Sequence, residues 1–327
     1  MIQEPFVSIL TPVYNGEAYL GECIESVLKQ EYTNYEYIIV NNCSKDRTLE
    51  IASAYAKKDP RIRVHNNTDF VGVIENHNIA FRLISGQSKY CKVVSADDWL
   101  FPECLKRMVD LAEAHPSVAI VGSYQLSGYG TDGRNWQVHN VRIPYPSTVV
   151  SGREICRFHL LGDIYVFGAP TAILYRADVI RGQDKFYPNP TAEADASACF
   201  KYLRDADFGF VHQVLSYERV HDIRQTANSF TLNAYLSTKI GDLLAYGGFY
   251  LTESEVNKRL EELLSIYYRF LARSVFNFRD REFWRYHRKR LEELGHPLNN
   301  FKLAGEVLLQ VPKLTIKRLL NLGRSRV

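Results

Sequence analysis

The chain has 327 residues, 46% of them apolar and 24% charged, with 40 basic residues against 37 acidic ones. That length suits one large α/β domain with an extension, or two domains. A net charge of +3 argues against a general nucleic-acid binder, and no uncharged apolar run approaches the ~18 residues of a membrane span.

In chain order, the opening Met1–Pro5 lacks the basic-then-apolar layout of a signal peptide. Phe6 to Leu10 predicts a buried strand, and Thr11 to Gly16 a turn. Leu20, Ile24, Val27 and Leu28 then recur at helical spacing. Tyr37 to Val40 predicts a second strand, and a helical pattern begins near Asp46. Ile62 to Val64 is a third strand, Val73 to Ile84 a helix, and Tyr90 to Val94 a fourth strand. Pro102 suits the first turn of the next helix, and Val118 to Val121 is a further strand. The stretch from Tyr124 to Val220 is less regular, with a helix predicted over Ala192 to Leu203. Beyond Arg224 the pattern is helical. Thr252 and Glu255 form a capping box ahead of an apolar stripe through Leu263, Tyr267 and Leu271. Cys23, Cys43, Cys91, Cys104, Cys156 and Cys199 include no C-x-x-C pair and are expected to be reduced thiols in a cytoplasmic protein.

Strands alternating with helices imply a mostly parallel sheet, whose ligands bind beyond the carboxyl ends of the strands. Polar clusters follow three of these strands, around Tyr14, Asn41 and Asp97. A dinucleotide fold would need G-x-G-x-x-G after the first strand, whereas this turn holds only Gly16, and there is no G-K-[ST] phosphate loop. The sharper feature is Val93-Val94-Ser95-Ala96-Asp97-Asp98-Trp99, an apolar strand ending in adjacent carboxylates. Few carboxylates suffice to hold Mg²⁺ or Mn²⁺ against a diphosphate. The same residues could instead make a solvated turn that caps the next helix.

Thr11-Pro12-Val13-Tyr14-Asn15, Tyr37 through Thr48, Gly72 through Asn78-Ile79-Ala80, and Ser95-Ala96-Asp97-Asp98 occur in the order and contexts of four motifs of family 2 glycosyltransferases, which this chain resembles over its first hundred residues. The resemblance implies a GT-A fold: Rossmann-like, with a mostly parallel central sheet and here a C-terminal helical extension. It places Pro12 and Tyr14 along the nucleoside, Asn41 at the base, Asn78 in the donor-binding half, and Ser95 and Asp98 near ribose, metal-bound water or donor sugar. Asp97 is the expected metal ligand, joined by His221, which resembles the histidine completing many GT-A metal sites. The chain departs from the family's usual Asp at Asn41 and often-Asp at Ser95, and from the usual Asp-Gly at Asn42-Cys43. An Asn amide can still accept from the uracil ring N–H and donate to a carbonyl. Thr191 through Leu203 resembles the segment carrying the family's base; Asp195 matches that position, with Ala194 replacing the usual preceding acid and Glu193 as the alternative. Lys92, Arg82 and His77 are nearby polar residues, and Gly168 to Thr171 matches an acceptor-side loop.

The implied organisation is a glycosyltransferase domain over residues 1–225, with a nucleotide-sugar-binding half (1–100) and an acceptor half (101–225), then a helical region over 226–327. The implied function is metal-dependent, inverting transfer from a nucleotide-sugar, with UDP-sugar favoured, to a glycan or lipid-linked acceptor in polysaccharide or glycoconjugate synthesis. The alternatives are an inactive nucleotide-sugar-binding relative and a nucleotidyltransferase, though the latter would show a Gly-rich basic loop after the first strand. At the C-terminus, Lys313, Lys317, Arg318, Arg324 and Arg326 lie among leucines. This segment could rest on the inner face of an anionic membrane, or pack on protein, including a second copy of the chain.

Overall fold

A computed structural model describes residues 4–129, 135–140, 143, 147–188, 191, 193–221 and 232–310. The chain forms two compact units, Met1–Arg224 and Gln225–Val327.

The first unit opens with β1 (Val7–Val13), α1 (Leu20–Leu28), β2 (Tyr35–Asn41), α2 (Thr48–Ala56), β3 (Ile62–Asn66), α3 (Val73–Arg82) and β4 (Tyr90–Val93). The helical spacing after β1 is accounted for by burial: Leu20, Cys23, Ile24 and Val27 form the inner face of α1. Thr11, Pro12 and Val13 do not form a turn but extend β1, pairing with Ile39, Val40 and Asn41. A proline is tolerated there because its nitrogen faces β4 just past the last paired residues, Leu10 and Val93. The Val94 carbonyl, which a Pro12 N–H would have reached, accepts instead from the Thr11 hydroxyl at 2.9 Å.

The remainder of this unit holds more regular structure than its sequence suggests. It comprises β5 (Trp99–Leu100), α4 (Cys104–Ala114), β6 (Val118–Gly128), β7 (Gln137–His139), β8 (Val149–Ser151), α5 (Gly152–Leu161), β9 (Ile173–Arg176), α6 (Ala177–Ile180), α7 (Ala194–Tyr202) and β10 (Asp207–Arg219). Pro102 lies in the turn before α4 rather than in its first turn.

The strand order is β3-β2-β1-β4-β9-β6-β10-β5. β1 to β4 are parallel, β9 is antiparallel to both β4 and β6, and β10 is parallel to β6. Two reversals cancel, so β10 runs in the same direction as β4. The end of β10 therefore lies at the same edge of the sheet as the ends of β1, β2 and β4, where this architecture binds ligands. Val7, Ile9, Tyr37, Ile39, Leu105, Met108 and Leu215 belong to one buried cluster that holds the strands in place.

The second unit contains helices Ala234–Tyr250, Glu253–Phe276 and Arg281–Glu293, and residues 300–310 are also helical. The Thr252–Glu255 capping box is present in full. Tyr267, Leu271, Phe283 and Leu291 make a buried core. The basic residues beyond Gln310, on which the tail expectation rests, lie outside the described residues. Among the described residues no helix is long and apolar enough to cross a membrane.

Candidate active site

The loops after β1 and β2 are tied together by short polar bonds. Asn15 N–H donates to the Ser44 hydroxyl at 2.9 Å, Gly16 N–H to the Thr48 hydroxyl at 2.7 Å, and Glu17 N–H to Asp46 at 3.0 Å. Gly16 must be small, since a Cβ there would sit 2.6 Å from Val13 Cγ2. Burial raises the Asp46 pKa, but its bonds from Thr48 and the Glu17 amide outweigh this and hold it below the usual carboxylate range. Cys43 sits at φ 56°, a left-handed conformation that ordinarily favours glycine.

Pro12 and Tyr14 lie half-buried at the end of β1, and the Tyr14 ring meets the exposed Phe70 edge-on at 4.8 Å. At the end of β2, Asn41 donates its amide to Asn66 Oδ1 at 2.6 Å. Its own Oδ1 is buried and without a partner among the described residues, leaving an acceptor that a ring N–H could satisfy. Around it, Asn42 bonds both the N–H and the carbonyl of Val71, while Asn67 bridges Asn42 and Asn76. This amide cluster fixes the loop that carries Phe70.

Beyond β4, Asp97 and His221 meet. The His221 Nε2 lies 2.9 Å from Asp97 Oδ2, across 124 residues of sequence. Beneath them lies Arg219, which the sequence reading missed. Its side chain is 8% exposed; Nε donates to the Asp97 carbonyl at 3.2 Å, Nη2 bonds Glu22, and the guanidinium stacks over Tyr19 and Trp99. Its one sequence signal was its place two residues before His221.

The carboxylate oxygen and imidazole nitrogen are a donor set that fits a hard divalent cation such as Mn²⁺ or Mg²⁺. Among the described residues no group of three His, Cys, Asp or Glu side chains forms a fuller cage.

Asp98 and Asn78 are buried and bonded within the protein. Asp98 is buried, and its carboxylate accepts from the Thr171 hydroxyl at 2.6 Å and from the Arg219 amide at 3.0 Å. It does not cap α4, whose N-cap is Glu103. Burial, with the charges of Asp97 and Glu218, pushes its pKa well above the usual carboxylate value. Asn78 is likewise spent on structure, donating to the Tyr187 carbonyl at 3.1 Å and accepting from the Tyr187 N–H at 2.9 Å. Asp98 latches β10 to the loop after β4, and Asn78 clamps the Tyr187 segment.

Thr171 is the hub of that latch. It also accepts from the Ser95 N–H at 3.1 Å, with the Ser95 hydroxyl 3.3 Å away. The fully buried Lys92 donates to the carbonyls of Thr171 at 2.7 Å and Ile173 at 3.1 Å, so it supports the loop from below rather than touching ligand. Burial lowers its pKa. The loop expected on the acceptor side thus points Thr171 into the protein. Replacing Thr171 by Val keeps the shape but strands the buried Asp98 oxygen. Urea denaturation should then show a loss of about 1–3 kcal/mol, with Thr171→Ser close to wild type. Equal stability of Thr171→Val and wild type would remove Thr171 from this role.

Asp195 is half-buried in the first turn of α7. After burial, its charge is the next largest influence raising the pKa of Tyr187, the residue Asn78 holds. Glu193, the alternative base, is buried.

The sequence model described as glycosyl transferase family 2 matches residues 8–182, more than half of the chain. The chain belongs to this family. Among its relatives, an uncharacterized glycosyltransferase of Haemophilus influenzae is 35% identical over 37% of this chain and 36% of its own length. Glycosyltransferase GlyG of Streptococcus pneumoniae is 30% identical over 36% of this chain and 38% of its own length. An uncharacterized glycosyltransferase of Rickettsia typhi is 29% identical over 68% of this chain and 66% of its own length. The chain thus spans little more than a third of the first two relatives. Among solved structures, residues 1–349 of S. aureus TarS in complex with UDP-GlcNAc match with a TM-score of 0.58 and 20% identity, over 80% of this chain and 71% of that one. Mannosyltransferase PcManGT of Pyrobaculum calidifontis, in complex with GDP-Man and Mn²⁺, matches with a TM-score of 0.52 and 13% identity, over 95% and 89%. These likenesses establish the GT-A fold of this family 2 member. A nucleotidyltransferase assignment is set aside by the family match.

Proposed function

We propose that this family 2 member is a glycosyltransferase that moves a sugar from a nucleotide-sugar, UDP-linked by preference, to an acceptor hydroxyl with inversion at the anomeric carbon. The observation carrying this reading is the contact between Asp97 and His221 at the ligand-binding edge of the sheet.

Pro12 and Tyr14 line the nucleoside, with Tyr14 offering a face for the base. The free Asn41 oxygen accepts the ring N–H of uracil, while its amide stays bound to Asn66. Asp97 and His221 hold the divalent cation, which when bound supplies positive charge to the donor diphosphate. Arg219 keeps Asp97 in place through its main-chain carbonyl. Asp195 takes the proton of the acceptor hydroxyl as its oxygen attacks the anomeric carbon. The bond from that carbon to the diphosphate breaks at the same time, and the nucleoside diphosphate leaves. The setting is synthesis of a glycan, on a lipid-linked or polysaccharide acceptor.

A second reading, a relative that binds nucleotide-sugars without turning them over, is favoured by the loss of charge at Ser95 and by the internal use of Asp98. A panel of UDP-, GDP- and dTDP-sugars, incubated with Mn²⁺ and without acceptor, separates the two. An active transferase leaks sugar to water, and we expect release from a UDP-sugar above all others. Binding with no release from any donor would favour the second reading, and GDP-sugar preference would overturn the assignment of Asn41 to uracil.

A further inference from the structure

The charge of this chain is divided unevenly. Residues 225–327 hold 17 lysines and arginines against 10 acidic residues, a net +7, whereas residues 1–224 hold 23 against 27. A region that exceeds the charge of the whole chain points to an anionic partner.

The helix Arg281–Glu293 shows where some of that charge is displayed. Phe283, His287 and Leu291 are its buried residues. Arg281, Arg285 and Arg288, spaced by four and three residues, lie off that face and are exposed. None of the three has a carboxylate within ion-pair distance among the described residues, unlike Lys289 and Arg290 behind them, which both reach Glu293. Just before this helix, Phe278 is 93% exposed. In the helical residues 300–310, Phe301 is 91% and Leu308 72% exposed, and their seven-residue spacing puts them on one face. Burying such side chains is worth a tenfold or greater gain in affinity each, by order of magnitude.

We propose that the C-terminal unit docks peripherally on an anionic lipid surface, with Arg281, Arg285 and Arg288 against the phosphate headgroups and Phe278, Phe301 and Leu308 entering the headgroup boundary. A nucleic acid or acidic protein would match the arginines but leave the phenylalanines and leucine in water. An interfacial surface takes both, because cations meet the headgroups while apolar side chains enter below them. With no described helix able to cross a bilayer, the contact lies on the surface. This inference goes beyond the transferase reading and does not depend on it.

The test is sedimentation of the full chain with vesicles of phosphatidylcholine alone, or of equal parts phosphatidylcholine and phosphatidylglycerol. Binding should require phosphatidylglycerol and weaken as salt rises. The combined change Arg281→Glu, Arg285→Glu, Arg288→Glu should weaken it roughly a hundredfold or more. The pair Phe301→Ser, Leu308→Ser should weaken it roughly tenfold. Both variants should retain the wild-type circular dichroism spectrum and, where the wild type hydrolyses a soluble UDP-sugar, the wild-type rate. Failure of hydrolysis in every form with vesicle binding intact would count against the transferase reading alone. Equal binding to both vesicle types, no binding at low salt, or undiminished binding by the charge-reversed variant would overturn the proposal. So would a dimer in sedimentation velocity that Phe301→Ser, Leu308→Ser dissolves, since a second copy would then cover this face.

Discussion

Asp97→Ala is expected to abolish sugar release and metal-dependent UDP binding together, while the protein keeps its circular dichroism spectrum. Asp97 is half-buried at the end of the β4 loop and is the only carboxylate in contact with His221 among the described residues. Its neighbour Asp98 is buried, with its oxygens accepting from Thr171 and the Arg219 amide. Lewis-acid help to a diphosphate leaving group is worth several kcal/mol, so the rate should fall by roughly 10³-fold. Excess chelator should do the same to the wild type, and Mn²⁺ or Mg²⁺ should restore it. His221→Ala removes the second proposed ligand and should cost less, roughly tenfold in rate with weaker metal affinity. Full activity in excess chelator, or an Asp97→Ala enzyme that still binds UDP in a metal-dependent way, would sink the metal assignment. Failure of Asp98→Asn to fold, with Asp97→Ala folded and inactive, would match the division of labour between the two carboxylates.

Asp195→Asn should slow turnover by roughly 10²-fold or more while leaving donor affinity little changed. The substitution keeps volume but replaces one acceptor oxygen by an amide NH2 and removes the proton acceptor. Asp195 is half-buried in the first turn of α7, whereas Glu193 is 4% exposed and precedes the helix. Glu193→Gln therefore should leave turnover near wild type. The measurement is transfer or sugar release at saturating UDP-sugar, beside the UDP dissociation constant. A crippled Glu193→Gln with an active Asp195→Asn would identify the other carboxylate as the base.

The first four strands and three helices were legible because each depends on local pattern. The β1, β2 and β4 runs are mostly apolar and largely buried, and α1 carries its buried face at helical spacing. The boundary after Leu10 was misread because proline and asparagine signal a turn. The strand continues since Pro12 points to an edge where Thr11 supplies the missing hydrogen bond. Strands β7, β8 and β9 are short, and their pairings exist only through contacts distant in sequence, which periodicity cannot report.

For this protein, sequence alone determined the fold class, the family and the identity of Asp97, His221, Tyr14 and Asn41 as candidates, because motif order and strand-end placement are local properties. Tertiary structure decided which candidates are available for chemistry. Asp97 and Asp98 are adjacent and chemically identical in the sequence. One turns to His221, and the other is buried between Thr171 and Arg219. Asn41 and Asn78 are both buried asparagines, yet one keeps a free oxygen and the other spends its amide on Tyr187. The reason is physical: a buried polar group must find a partner, and only the folded chain determines whether that partner is the protein itself or a position left for a ligand.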